Sequence, residues 1–247
     1  MANMPQPSDE DLFKEPSERG ECPICFLPRP LTCDQRAYFS CCGKITCAGC
    51  MLAAFKADAR MLCPYCRGPR RISDREIVDR IKKRVALGDA SAMLDLAGNY
   101  HQGICGLPQN YNKSNKLLYR AGELGCAEAY HNLAVAHCRG LGVERDEKKE
   151  KYYWELAAMG GNVSARYNLG HLEYSAGNVS RALKHWMIAA RAGHDKALAA
   201  IRGRYMSGQA TKDDFEKALR AHKHARDEMK SEQREEAAVV YSLYAAT

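Results

Sequence analysis

The sequence predicts a mainly α-helical chain in which a small cysteine-bound domain precedes a solenoid of helix pairs. Three observations predict it. Eight of the twelve cysteines form three Cys-x-x-Cys pairs and one adjacent doublet between Cys22 and Cys66. From Ala90 onward, alanines, leucines, tryptophans and glycines return at intervals that shorten from 37 to 36 to 32 residues. Between the two regions, Ser73-Asp-Arg-Glu76 reads as a capping box that opens a helix.

The cysteines come first in chemistry. The pairs are Cys22/Cys25, Cys47/Cys50 and Cys63/Cys66, and the doublet is Cys41-Cys42. A Cys-x-x-Cys turn sets two thiolates on one side of a tight loop, half of a tetrahedral zinc site with Zn–S bonds of about 2.3 Å. Four such halves make two closed sites. The segment is short and poor in large apolar residues, so metal must supply its folding energy. Disulfides or unrelated buried thiols are the competing reading, which three pairs at ligand spacing disfavour.

Cys22-Pro-Ile-Cys25, Cys42-Gly-Lys-Ile-Thr-Cys47-Ala-Gly-Cys50 and Cys63-Pro-Tyr-Cys66-Arg67 together resemble a RING-type zinc finger. RING fingers brace their ligands crosswise. The resemblance therefore implies one zinc on Cys22, Cys25, Cys47 and Cys50, and a second on Cys41, Cys42, Cys63 and Cys66. The usual histidine is missing, because its slot holds Lys44, and Cys41 fills the vacancy as in all-cysteine variants. Neighbouring side chains of an extended backbone point to opposite faces, so joint ligation by Cys41 and Cys42 requires a kinked turn. Cys33 is the alternative ligand. The resemblance also implies contacts to a ubiquitin-conjugating enzyme by Ile24, Pro64 and Phe55, and a linchpin role for Arg67.

The 247 residues carry a formal charge of +7, with Lys+Arg 37 against Asp+Glu 30. Eight thiolates on two zinc ions lower that balance to roughly +3, less than a dedicated nucleic-acid binder shows. No run of about 18 apolar residues suggests a membrane span. The polar, acidic start lacks an apolar leader, so an intracellular location, cytoplasmic or nuclear, is expected. Residues 1–20 mix prolines, serines and acids and read as a disordered tail. The finger is assigned to 21–70, with Met51 to Met61 as its central helix and Leu52 and Phe55 on one face.

A connecting helix is expected within 71–88, with Ile77, Val78, Ile81 and Val85 as its apolar stripe and Lys82, Lys83 and Arg84 outside. In the repeats, Ala92, Ala129, Ala165 and Ala197 occupy one helix position, and Leu96, Leu133, Leu169 and Ile201 follow one turn later. Gly103, Gly140 and Gly208 mark turns. Second helices place Leu118, Trp154 and Trp186 in register, then Ala121, Ala157 and Ala189, and end at Gly125, Gly161 and Gly193. The pattern, with Gly140-Leu-Gly142-Val143 and Ala157-Ala158, resembles the Sel-one-like repeats, relatives of the tetratricopeptide repeat. The solenoid is assigned to 89–238, closed by a capping helix from Asp213 to Ala238, with 239–247 as a tail.

Other chemistry is thin. His131, His137 and His171 lie on repeat helices, and His222 and His224 on a polar helix, without ligand-spaced partners. Cys105, Cys126 and Cys138 show no nucleophile signature. Three functions remain. The first is a RING-type ubiquitin ligase or ligase subunit whose repeats bind a protein substrate or partner. The second is a non-enzymatic zinc-binding scaffold. The third is an RNA-associated adaptor using the basic stripe from Arg67 to Arg84.

Overall fold

The computed structural model describes residues 7–14, 20–31, 35–58, 60–70 and 72–245, with side chains to residue 240. Cys33 lies outside the described residues. The chain divides into two compact units: Met1–Glu18 with Leu118–Asp227, and Arg19–Leu117 with Glu228–Thr247. No described helix is long and apolar enough to cross a membrane.

The unit that holds the cysteines starts with a two-stranded antiparallel hairpin. Strand β1 (Arg36–Phe39) pairs with β2 (Lys44–Cys47), Arg36 opposite Cys47 and Phe39 opposite Lys44. Helix α2 (Ala48–Ala57) follows directly, because Cys47 is its N-cap and its sulfur accepts from the Cys50 N–H at 3.4 Å. The helix therefore begins three residues before the Met51 expected from its run of helix formers, and it ends at Ala57.

Helix α3 (Asp74–Ala86) starts where the capping box predicts, with the Ser73 hydroxyl accepting from the Glu76 N–H at 3.3 Å. Val78 and Ile81 are its buried residues. Asp89 then caps α4 (Ala90–Gln102) through the N–H groups of Ser91 and Ala92. Its second oxygen accepts from Arg84 at 2.7 Å and from the Tyr38 hydroxyl at 3.0 Å, tying α3 and the hairpin to the start of the repeats. Burial pushes the Asp89 carboxyl up, but Arg84, the Ala92 N–H and Tyr38 together hold it below the usual carboxylate range. Arg84 is thus half-buried in an ion pair and does not belong to a solvated basic stripe.

Helices α5 (Tyr111–Glu123), α6 (Ala127–Arg139), α7 (Glu147–Met159), α8 (Val163–Ser175) and α9 (Val179–Arg191) repeat one plan, each with 13 residues. Helix α10 (Asp195–Met206) continues it. Ala92, Ala129, Ala165 and Ala197 are the third residues of α4, α6, α8 and α10, and all are fully buried. A methyl group there lets neighbouring helices approach closely, while Leu96, Leu133, Leu169 and Ile201 fill the core one turn on. Within the unit that holds them, α6 packs on α7, α7 on α8, α8 on α9 and α9 on α10, the nearest-neighbour logic of a solenoid.

Trp186 sits at 1% exposure among Ala182, Ala189, Ala190, Ala197, Ile201 and Ala218, and its indole N–H donates to the Tyr167 carbonyl at 3.2 Å. Gly170 makes room for that ring, since a Cβ there would collide with the indole. Trp154 holds the equivalent place in α7, at 7% exposure, but its buried N–H has no partner. Gly125, Gly161 and Gly193 take φ of 85°, 85° and 91°, the left-handed turn that ends each second helix.

Two expectations at the chain ends are corrected. Within the tail expected to be disordered, Asp9–Phe13 form a short helix, α1, and Leu12 is buried against Trp154, Ala157, Ala165 and Leu169. Tertiary burial of Leu12 overrides a composition that reads as disorder; residues 1–6 and 15–19 are outside the described residues. At the other end, the helix expected from Asp213 to Ala238 is two helices, α11 (Lys212–Met229) and α12 (Glu232–Ala245). Ser231 restarts the chain, accepting from the Arg234 N–H through its hydroxyl at 3.3 Å. Phe215 and Ala218 of α11 pack into the Trp186 cluster, whereas α12 packs on α2, and the helix runs past Val239 to Ala245.

Candidate metal centres

The structure gathers eight cysteines into two sets of four. The sulfurs of Cys22, Cys25, Cys47 and Cys50 all lie within 4.8 Å of one another, and so do those of Cys41, Cys42, Cys63 and Cys66. The two sets interleave along the chain. A tetrahedral site with Zn–S bonds of about 2.3 Å has edges of about 3.8 Å. Cys25 and Cys47 are 3.9 Å apart and Cys42 and Cys63 are 3.7 Å apart, whereas a disulfide would need about 2.05 Å. The donor set therefore fits zinc in both number and spacing.

Two matching knuckles supply half of the donors. In the first, the Phe26 N–H donates to Cys22 O at 2.8 Å and the Cys22 N–H to Leu27 O at 2.9 Å. In the second, the Arg67 N–H donates to Cys63 O at 3.0 Å and the Cys63 N–H to Gly68 O at 2.9 Å. Phe26 and Arg67 occupy the same left-handed position, φ 58° and 59°, which costs a residue with a Cβ roughly 1–2 kcal/mol. Isolated bridges Glu21–Pro28 and Leu62–Pro69 close both loops.

The doublet lies in the turn between β1 and β2. Cys42 and Gly43 both donate to the Phe39 carbonyl, at 3.1 and 2.7 Å, and Gly43 takes φ 72°. This tight reversal aims Cys41 and Cys42 into one cluster.

The thiols feel one another. Burial pushes Cys22 up, but the Thr46 hydroxyl and the N–H groups of Cys25, Cys47 and Ile24 outweigh it and bring the thiol down to about 6. Cys63, its counterpart in the second knuckle, is likewise lowered against burial by N–H groups of Cys66 and Tyr65. Cys41, Cys42, Cys47 and Cys50 are pushed up, chiefly by burial, with neighbouring thiols adding to it. A divalent cation at each centre would relieve that repulsion.

The remaining predicted residues separate. Ile24, Pro64 and Arg67 are exposed on the knuckles, with Ile24 at 38%. Phe55 is not an open contact: the Arg70 guanidinium covers it at 4.3 Å from the ring centre and covers Phe39 at 4.6 Å. Phe26, at 70% exposure, joins Ile24 as an apolar tip that sequence reasoning passed over. Its position, directly after the second cysteine as Arg67 is in the other knuckle, was the available signal.

Sequence reasoning also missed that the end of the expected 213–238 helix, as α12, packs on α2. Gly49 lets it approach α2 backbone to backbone, since a Cβ there would come within 2.8 Å of the Gln233 carbonyl group and the Arg234 nitrogen. Arg234 then donates to Pro28 O and Met229 O at 3.0 Å and to the Cys25 sulfur at 3.6 Å. Lys56 pairs with Glu236 beside it. A zinc held by four thiolates would carry a net charge of −2, and a half-buried guanidinium at its edge would both orient the knuckle and compensate that charge. Arg234→Ala is expected to loosen the first metal about tenfold or more while sparing the second. Transfer of zinc to a chromogenic chelator should then show one accelerated phase; two unchanged phases would remove Arg234 from the site.

Comparison with known proteins concerns the repeats. The Sel1 repeat family matches residues 90–126, 127–162 and 163–194. A chitin synthase regulatory factor 4 of Schizosaccharomyces pombe is 31% identical over 130 residues, covering 51% of this chain and 20% of that protein. The chain thus spans only a fifth of that relative's length. A Sel1 repeat protein from Oxalobacter formigenes superposes with a TM-score of 0.56 at 22% identity, covering 73% of this chain and 71% of the other. A protective antigen present in uropathogenic Escherichia coli, which displays an SLR fold, gives 0.54 at 21% identity over 75% of this chain and 38% of its own. Residues 90–194 of this chain match the Sel1 repeat family in three successive units, each a pair of helices.

Proposed function

We propose that the protein is an interaction scaffold built on Sel1 repeats, whose cysteine-rich segment is a two-zinc RING-type finger that recruits a charged ubiquitin-conjugating enzyme. The observation that carries this reading is the interleaving of the two four-cysteine sets. Zinc at both centres would supply the folding energy of the segment and fix its loops. Ile24 and Pro64 offer apolar contacts on the two knuckles, and the exposed Arg67 guanidinium offers several donors in a fixed fork. Transfer then needs no nucleophile of the chain's own. A lysine of the substrate attacks a thioester that the finger restrains, so the chain contributes position. The repeats hold the substrate or a partner. The regulatory name of the Schizosaccharomyces pombe relative is consistent with repeats that act by binding.

A scaffold without transfer activity is the second reading. It is favoured by Phe55 lying under Arg70, by Lys44 in the histidine slot, and by the confinement of both tryptophans to the repeats. Discharge assays separate the two. Arg67→Ala keeps all eight cysteines, and should slow discharge of ubiquitin from a cognate conjugating enzyme onto free lysine at least several-fold, with melting unchanged. Discharge as fast as wild type removes the linchpin role. A wild-type protein that stimulates no enzyme of a broad panel establishes the scaffold.

A further inference from the structure

The segment Ser8-Asp-Glu-Asp-Leu-Phe13 sits on α7, α8 and α9 in the manner of a bound peptide. Its contacts are of the kinds that recognise a ligand. Leu12 fills a socket against Trp154 and Leu169. Its backbone carbonyl accepts from Arg166. The Asp9 carboxylate takes Arg181 on both oxygens at 2.5 Å. Phe13 lies on the His185 ring, centroids 4.7 Å apart, with the Arg181 and Lys184 cations 5.2 and 5.3 Å from its own ring centre. A helix of five residues is far too short to persist alone, so α1 is ordered by its seat.

The seat holds groups that packing alone does not call for. Arg166 and His185 are 2% and 0% exposed, and the buried Glu173, which pairs with Lys151 and Asn178, also pairs with the Arg181 that reaches Asp9. Neither nitrogen of the buried His185 ring has a hydrogen-bond partner. The seat is also larger than its occupant. From Phe13 a groove of about 490 Å³ continues along α9, lined by Leu183, Met187 and Ile188 and edged by Lys184, Arg191 and Asp214. Apolar along its floor, with two cations against one carboxylate at its edge, it matches an acidic peptide with a Leu-Phe pair and more length than residues 8–13 provide.

We infer that the second and third Sel1 repeats carry a peptide-binding site for acidic segments of the form Asp-x-Asp-Leu-Phe on a partner protein, and that the chain's own residues 8–13 occupy it in cis as an exchangeable stand-in. The inference rests on the reading of the repeats as protein-binding and is independent of ubiquitin transfer. A tethered occupant acts at an effective concentration of order 1 mM, so a free peptide of the same sequence with an intrinsic affinity of about 100 µM is suppressed about tenfold until the occupant leaves, and a tighter one by more.

The test uses the full chain and a fluorescein-labelled peptide of residues 7–14, Pro-Ser-Asp-Glu-Asp-Leu-Phe-Lys, read by polarisation without any ubiquitin enzyme. Asp9→Arg weakens the cis contact at an exposed position and leaves the core untouched. Leu12→Ala with Phe13→Ala empties the seat. Affinity for the peptide should rise from wild type to Asp9→Arg and by at least about tenfold in the double variant. Adding Arg181→Glu to the double variant should abolish the gain. Peptide binding no tighter in either variant than in wild type would overturn the proposal. Loss of the helical circular dichroism signal in the double variant would overturn it as well, since the segment would then be part of the repeat core. Failure of ubiquitin discharge leaves this assay unaffected, and its own failure leaves discharge unaffected.

Discussion

Removing metal should collapse the cysteine-rich segment and free α12, while the repeats keep their helices. The magnitudes decide this. A structural zinc contributes about 10–16 kcal/mol of apparent binding energy at neutral pH, whereas an entire domain is stable by about 5–15 kcal/mol. What the segment buries besides sulfur is little: Ala37 and Phe39, with Met51 and Tyr65 beside them, make a small cluster that packs directly on the ligand Cys63. The left-handed Phe26 and Arg67 are held by the knuckle hydrogen bonds. Once the thiolates separate, Arg234 loses Cys25, Leu27 and Pro28 together, and α12 has no docking face. Hydrogen exchange after chelation should therefore show residues 20–70 and 232–240 exposed and residues 127–206 protected. Protection retained across 20–70 would mean that the finger folds on its packing alone.

Trp186→Ala should be the most damaging single change in the repeats, at about 3–5 kcal/mol. The ring is 1% exposed, its N–H is bonded to Tyr167, and it fills the space left by Gly170 and the surrounding alanines, none of which can expand into the gap. Trp154→Ala should cost less, because it also removes an indole N–H that is buried without a partner. Urea unfolding midpoints of the two variants give the order directly. Equal midpoints would overturn the order, and a Trp186→Ala loss below about 1 kcal/mol would place that tryptophan outside the core of the solenoid.

The same residues explain why the repeats were legible in the sequence. Small and large apolar side chains at fixed offsets are a local signal, and Ala129, Leu133, Trp154 and Ala157 each keep their place in a helix of fixed length. The cysteine sets were legible for a similar reason, since a Cys-x-x-Cys turn carries its geometry within four residues. What the sequence hid depends on partners far along the chain. Leu12 and Phe13 sit in an acidic, proline-rich context that reads as disorder until the α7–α9 surface is in place. Gly49 reads as a mediocre helix residue, and only the approach of α12 gives it a purpose. Arg234 reads as one more charge on a polar helix, yet its partners are the carbonyls of Leu27 and Pro28 and the sulfur of Cys25. Ser231 is a weak stop signal by composition, and the helix restarts there because Arg234 and Glu235 both donate back to it.

The central claim is that two interleaved four-cysteine sets each hold one zinc, and native mass spectrometry of the zinc-loaded protein measures it most directly. The wild type should carry two ions per chain. Cys25→Ser and Cys47→Ser, 22 residues apart but in one set, should each lose one ion, and the double variant should lose no more than that one. Cys41→Ser should remove the other ion, and combined with Cys47→Ser should leave none. A wild type with a single zinc, or a Cys25→Ser and Cys47→Ser pair that loses both ions, would contradict the interleaved arrangement.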